Sequence, residues 1–326
     1  MKYITAAFLA MLLVGCNEMS TKDVVDIVKP GTVLIADELP DGKGGMGTGF
    51  IVGENTIVTN FHVVSEPGKI YVYSSNSQKR YEAEVAHKDE IADLVILKLK
   101  DWASFKKDES PVIVKFGDSN STDQGEKVII IGHPWGLAWT VSEGIMSGKG
   151  HRMGSNPKFL DQVDAKLYNG NSGGPVFNED GQVVCVSNMM LVQEGGSYGF
   201  CIPSSLVKKV LYDFDKFGEV RWRVINVAVG LTEDGSSVIL QDVEPDGAAG
   251  RAGLKQGDKI IEIYTPNNHP KGMAPKDPND LITEMAQLRG DDELVKLLID
   301  RNGEKIMFDV KSNFKLSKEY SPDKAK

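Results

Sequence analysis

The chain has 326 residues, 41% hydrophobic and 25% charged, which is enough for two folded domains with separate cores. Its net charge of −9 at pH 7 gives a surface that repels phosphate backbones, and no long Lys/Arg block offsets it, so nucleic acid is excluded as an expected partner. The 34 glycines, scattered among short apolar runs, favour β-rich architecture.

At the N-terminus, Lys2 precedes an uncharged, mostly apolar run from Ile4 to Val14. That run is too short to span a bilayer comfortably and suits the core of a signal peptide. It closes on Leu13-Val14-Gly15-Cys16, which resembles a bacterial lipobox. The resemblance implies a signal peptide over 1–15, cleavage before Cys16 and lipidation of its thiol. Acyl chains would then hold the protein at a membrane without a transmembrane helix. A plain signal peptide with an incidental cysteine is the alternative. Asn17 after the cysteine, in place of Asp, points to the outer rather than the inner membrane, and so to a lipid-anchored periplasmic protein. Residues 16–22 read as a polar tether.

From residue 23 the sequence alternates short β-like runs with turn residues. Examples are Gly49-Phe50-Ile51-Val52, Thr56-Ile57-Val58-Thr59, Lys69-Ile70-Tyr71-Val72-Tyr73, Asp93-Leu94-Val95-Ile96-Leu97 and Lys127-Val128-Ile129-Ile130-Ile131. Many short strands at this spacing predict a mainly β fold, and a polar break at 101–111 divides them into two small barrels. A helix follows, capped by Ser204 or Ser205, with Leu206, Val207, Val210, Leu211 and Phe214 on one face and Gly218 at its end. This first domain spans 23–218. A second, smaller α/β domain spans 219–314, with strands at 237–240, 259–263 and 305–308 and a short helix over 278–288. Residues 315–326 form a polar tail.

Three strings carry chemistry: Thr59-Asn60-Phe61-His62-Val63-Val64, Ile91-Ala92-Asp93-Leu94-Val95, and Gly170-Asn171-Ser172-Gly173-Gly174-Pro175. Glycines around a serine let the backbone turn sharply, so the hydroxyl projects and nearby N–H groups converge. The order His, Asp, Ser is that of chymotrypsin-type enzymes. In that reading Ser172 attacks a carbonyl, His62 moves the proton and Asp93 orients the imidazole. The N–H groups of Gly170 and Ser172 form the oxyanion hole. Asp89 is a nearby alternative acid. The Gly170–Gly174 string also fits an α/β-hydrolase elbow, but that fold needs a histidine after the serine. The one available is His269, in the loop-like Asn267-Asn268-His269-Pro270 of the second domain.

Together these blocks resemble the HtrA (Deg) family of serine proteases. Further family-like blocks are Gly47-Thr48-Gly49-Phe50, Phe116-Gly117-Asp118-Ser119, Ile131-Gly132-His133-Pro134-Trp135-Gly136-Leu137 and Gly199-Phe200-Cys201-Ile202-Pro203. The resemblance implies a chymotrypsin-like double β-barrel, with Asp93 rather than Asp89 as the acid. It implies a homotrimer, and a resting oxyanion loop disordered around Asn169-Gly170-Asn171. The expected function is endopeptidase action on misfolded or specific exported polypeptides. A chaperone-like adaptor that keeps the fold without turnover is the alternative. Lys166 falls where the trypsin-like fold places the floor of the primary pocket. There it attracts an acidic side chain or snorkels to solvent. Met189, Met190 and Leu191 are candidates to line the adjoining strand. His133 stands where the family often has Asn and is assigned no chemistry.

In the second domain, Gly247-Ala248-Ala249, Ala252-Gly253-Leu254 and Gln256-Gly257-Asp258 resemble the family's PDZ domain. That resemblance implies capture of a peptide's C-terminus along Val229, Gly230 and Leu231, or a PDZ fold that only packs on the protease and regulates it. Cys185 and Cys201 lie in apolar runs and read as buried free thiols, although export permits their pairing. No Cys/His spacing suggests zinc, and no cofactor is expected.

Overall fold

The structure is a computed structural model that describes residues 19–38, 44–64, 68–77, 79–152, 159–193, 196–266 and 268–316. The signal-peptide and Cys16 expectations, and residues 317–326 of the tail, lie outside them. Helix α1 (Thr21–Val28) begins inside the stretch read as a tether. Ser20 caps it reciprocally with Asp23. So short a helix is marginal alone. It is held by Val24 and Val28, which are buried in the core that also contains Ile129, Phe177 and Val183.

The first barrel contains β1 (Thr32–Glu38), β2 (Gly44–Gly53), β3 (Thr56–Asn60), β4 (Lys69–Tyr73), β5 (Arg80–Asp89) and β6 (Leu94–Leu99). It closes in the order β1-β2-β3-β6-β5-β4 around Val33, Ile35, Ile51, Ile57, Val72 and Leu97. The expected polar break carries helix α2 (Trp102–Glu109), with the Asp101 carboxylate accepting from Ser104 N at 3.0 Å. The second barrel contains β7 (Lys127–Gly132), β8 (Thr140–Arg152), β9 (Phe159–Val163), β10 (Pro175–Phe177), β11 (Val183–Gln193) and β12 (Gly196–Pro203). It closes as β10-β11-β12-β9-β8-β7 around Val128, Ile130, Met146, Val163, Val176 and Val184. Phe50, Val58 and Leu94 of the first barrel share one buried cluster with Ile129, Ile131 and Phe177 of the second. Strands buried on both faces explain the continuous apolar runs in the sequence.

Two expectations change here. Neither serine caps α3 (Ser204–Phe217). Pro203 holds the cap position, and Ser204 Oγ donates instead to the Gly117 carbonyl at 3.0 Å. Cys185 and Cys201 are joined in a disulfide rather than free, because antiparallel β11 and β12 bring their Cα atoms to 5.6 Å. At the far end of α3, Gly218 takes φ +73°, and its N–H caps the Phe214 carbonyl.

A short ribbon of β13 (Arg221–Val224) and β20 (Asn313–Leu316) joins the domains, so a strand occupies the start of the expected tail. The second domain contains β14 (Val227–Leu231), β15 (Val238–Val243), α4 (Ala248–Arg251), β16 (Lys259–Thr265), β17 (His269–Met273), α5 (Pro278–Gln287), β18 (Leu294–Arg301) and β19 (Glu304–Lys311). Its sheet runs β14-β15-β16-β18-β19, with β17 attached to β16. The segment around His269, expected as a loop, is therefore a strand; Pro270 is tolerated because β17 pairs along one side only. Ile282 and Ala286 of α5 pack into the large cluster of the first domain. At the same junction α3 carries a fully buried ion pair between Lys209 Nζ and Asp213 Oδ2, at 2.9 Å. Asp213 also accepts from the N–H of Arg221 (3.0 Å) and of Gly290 (2.6 Å), and so ties α3 to the ribbon and the second domain.

Candidate active site

His62 sits on a single helical turn, Phe61–Val63, directly after β3. The turn is fixed from the β5–β6 connection. The Asp93 carbonyl accepts from Asn60 Nδ2 (2.9 Å) and from the Phe61 N–H (3.0 Å). Asp93 itself adopts the left-handed φ of +56°, which only a tightly held non-glycine residue sustains. Asp89 supplies part of that hold, with Oδ1 accepting from Ala92 N at 2.7 Å and Oδ2 from Trp222 Nε1 at 3.1 Å. Asp89 thus braces the loop, while Asp93 meets the histidine.

Three donors converge on the Asp93 carboxylate. Oδ1 accepts from the His62 backbone N–H at 3.0 Å, and Oδ2 accepts from His62 Nδ1 at 2.8 Å and from Asn188 Nδ2 at 2.7 Å. An ionised carboxylate only accepts, so His62 carries its proton on Nδ1, and Nε2 is left as the basic nitrogen. Asp93 is almost wholly buried, whereas the His62 side chain is 47% exposed, so the acid is inside and the imidazole reaches the cleft.

Ser172 comes from the second barrel. Its carbonyl accepts from the Thr48 N–H of β2 at 2.9 Å, which ties the serine loop to the first barrel. Its Oγ donates to the Asn188 carbonyl at 3.3 Å. Two glycines of this loop are required sterically. Gly170 has φ +103°, and a Cβ there would lie 2.2 Å from the His133 carbonyl oxygen. Gly173 has φ +81°, and a Cβ there would lie 2.1 Å from Thr59 Oγ1.

The Asn169 carbonyl accepts from Trp135 N at 2.9 Å. In a trans peptide the N–H points opposite to the carbonyl, so the Gly170 N–H faces away from Trp135. Among the described residues, neither the Gly170 nor the Ser172 N–H has an acceptor. This geometry departs from the expected disorder around 169–171: Asn171 N bonds the Tyr168 carbonyl and Gly174 N bonds the Asn171 carbonyl.

His62, Asp93 and Ser172 line one open cleft of about 440 Å³ together with Leu167, Tyr168, Asn169, Asn188, Met189 and Met190. Met189 and Met190, candidates to line the adjoining strand, are among these residues. Leu191 is not in the cleft and packs against the large core cluster instead. Lys166 is exposed and also outside the cleft; Leu167, one residue on, turns inward. Alternation along the extended chain decides which of the two faces the pocket. Asn188 and Thr48 escaped the sequence reading. A lone Asn in an apolar strand and a Thr between glycines carry no local mark of a role that depends on a partner far away in sequence. Val229, Gly230 and Leu231 lie on β14, an edge strand. Among the described residues, no His/Cys/Asp/Glu group could hold a metal, and no helix is long and apolar enough to cross a membrane.

Residues 47–186 match the trypsin-like peptidase domain family. The chain is 34% identical over 258 residues to a probable periplasmic serine endoprotease, DegP-like, of Brucella suis, covering 74% of this chain and 47% of that protein. A DegP-like protein of Rhizobium meliloti is 35% identical over 273 residues, covering 77% and 51%. The chain thus spans about half the length of these curated relatives. Among solved structures, the HtrA-type protease AlgW with tripeptide superposes with TM-score 0.70 at 23% identity, covering 91% of this chain and 97% of that one, a likeness of fold. The serine endoprotease from Yersinia pestis superposes with TM-score 0.62 at 25% identity, covering 91% and 98%. With a matching peptidase domain, these relatives and the double barrel, the chain belongs to the HtrA family of trypsin-like serine proteases.

Proposed function

We propose that this protein is a periplasmic serine endopeptidase that cleaves misfolded or specific exported polypeptides. The observation that carries the reading is the pair of hydrogen bonds from His62 to Asp93, through backbone N–H and Nδ1, in the cleft that also holds Ser172. In this mechanism His62 Nε2 takes the Ser172 hydroxyl proton as Oγ attacks the scissile carbonyl. The tetrahedral oxyanion is received by the N–H groups of Gly170 and Ser172. His62 then passes its proton to the leaving amine, and water releases the acyl-enzyme by the reverse sequence. The second domain, docked on the protease through α5, regulates it or takes a peptide C-terminus as an added strand along Val229–Leu231, at the free edge of β14. Lipidation at Cys16, an outer-membrane location and a homotrimer complete the proposal.

Incubation of the purified protein with unfolded casein tests it. The wild type is expected to degrade casein and Ser172→Ala to leave it intact. Equal holding of casein by both proteins, with cleavage by neither, would make the chain an adaptor.

A further inference from the structure

We infer that Thr48 and His133 are positioning residues that lock the oxyanion loop in its catalytic shape, through one directed hydrogen-bond chain running from His133 to Thr48 to the Gly170 carbonyl. The inference rests on the endopeptidase reading and explains how its loop is held. Thr48 Oγ1 lies 2.7 Å from the Gly170 carbonyl oxygen and 2.9 Å from His133 Nδ1. A carbonyl cannot donate, so the single hydroxyl proton of Thr48 goes to Gly170. Thr48 must then accept from the imidazole, which places the His133 proton on Nδ1. The direction of the chain is therefore fixed without any hydrogen being seen.

Three further observations make this a built device. His133 is fully buried with its ring edge-on to Trp139 (centroids 4.9 Å apart), so the imidazole has little freedom to turn. Its Nε2 is buried without a hydrogen-bond partner, a cost borne by a ring held for what Nδ1 does. The two peptide planes flanking the Gly170 Cα are pinned from different elements: Trp135 N–H holds the Asn169 carbonyl, and Thr48 holds the Gly170 carbonyl. With both planes held, the Gly170 N–H is kept on the side of its peptide away from Trp135. Thr48 also bonds the Ser172 carbonyl through its own N–H, so a single β2 residue holds the carbonyls of both Gly170 and Ser172.

The test uses the full chain, its Ser172→Ala control and four variants on a fluorogenic peptide chosen from a casein cleavage site. Thr48→Val keeps the shape and the backbone bond to Ser172 but removes the hydroxyl. It is expected to lower kcat about 100-fold, the scale of losing one oxyanion donor, with KM little changed. His133→Leu should do the same. Thr48→Ser and His133→Asn, which keep an acceptor–donor hydroxyl and a side-chain N–H, should recover most of the lost rate. Circular dichroism and melting curves identify variants that fail to fold. A folded Thr48→Val with wild-type kcat overturns the inference. If the wild type neither cleaves the peptide nor reacts with a fluorophosphonate probe, the endopeptidase reading fails. The crystal structure of Thr48→Val then still decides the loop: a turned Gly170 carbonyl supports the chain, and an unchanged one overturns it.

Discussion

Acidification from pH 7 to pH 5 should cost the protease domain about 2 kcal/mol through His133 alone. Burial pushes this imidazole down to about 3, while in the unfolded chain it titrates near the ordinary value of about 6.5. Below about 6.5 the unfolded chain takes up a proton that the folded state refuses until about 3. Unfolding is therefore favoured progressively as pH falls through that window, and the penalty levels off beneath it. Each pH unit is worth about 1.4 kcal/mol, and pH 5 lies about 1.5 units below the unfolded value, which gives about 2 kcal/mol. Urea unfolding of the wild type and of His133→Asn, followed by tryptophan fluorescence at both pH values, isolates the effect. Every other titrating group is common to the two proteins. The wild type is expected to lose about 2 kcal/mol more than the variant. Equal losses would show that the buried ring accepts its proton as readily as an exposed one, and would refute the reasoning.

Lys209→Met should destabilise the protein by about 3–5 kcal/mol in urea melts, because it strands the fully buried Asp213 carboxylate without its cation. Reduction of the Cys185–Cys201 bridge, or Cys185→Ala with Cys201→Ala, should cost about 3 kcal/mol. The bridge closes a loop of sequence separation 16, and an unchanged melting temperature under reductant would count against it. Asn188→Ala removes the amide donor to the Asp93 carboxylate while leaving the carbonyl near Ser172. It should lower kcat by about tenfold, the kinetic equivalent of one hydrogen bond of about 1.4 kcal/mol. A change confined to KM would assign Asn188 to substrate binding instead.

The chemistry was legible where it is written locally. The glycines flanking Ser172 are forced by positive φ and by close backbone contacts, so they mark the nucleophile loop in the sequence itself. His62 follows one short apolar strand and Asp93 precedes another, but the order His, Asp, Ser admitted Asp89 equally, and the choice of Asp93 came from the family resemblance. The specificity side was less legible. Lys166 and Leu167 differ by one residue, and a single residue along an extended segment exchanges the solvent face for the pocket face. The cysteines read as buried apolar residues because their runs are apolar. Only the pairing of β11 with β12 reveals that two such side chains meet. Helix α1 was missed because only two of its apolar side chains, Val24 and Val28, find burial, and that burial exists only with a barrel beneath them.

Alone, the sequence determined the strand-rich architecture and the α3 and α5 helices, and it singled out Ser172 as a candidate nucleophile by the glycines around it. These follow from periodicity, from turn residues and from backbone conformations that few residue types adopt. The tertiary structure decided everything that depends on meeting across distance. It brought Asn188 to Asp93, Trp222 to Asp89, Asp213 to Gly290, and His133 through Thr48 to Gly170. Hydrogen bonds and ion pairs act over a few ångströms regardless of sequence separation. An Asn, a Thr or a buried Lys therefore acquires its role only when the barrels close and set its partner beside it.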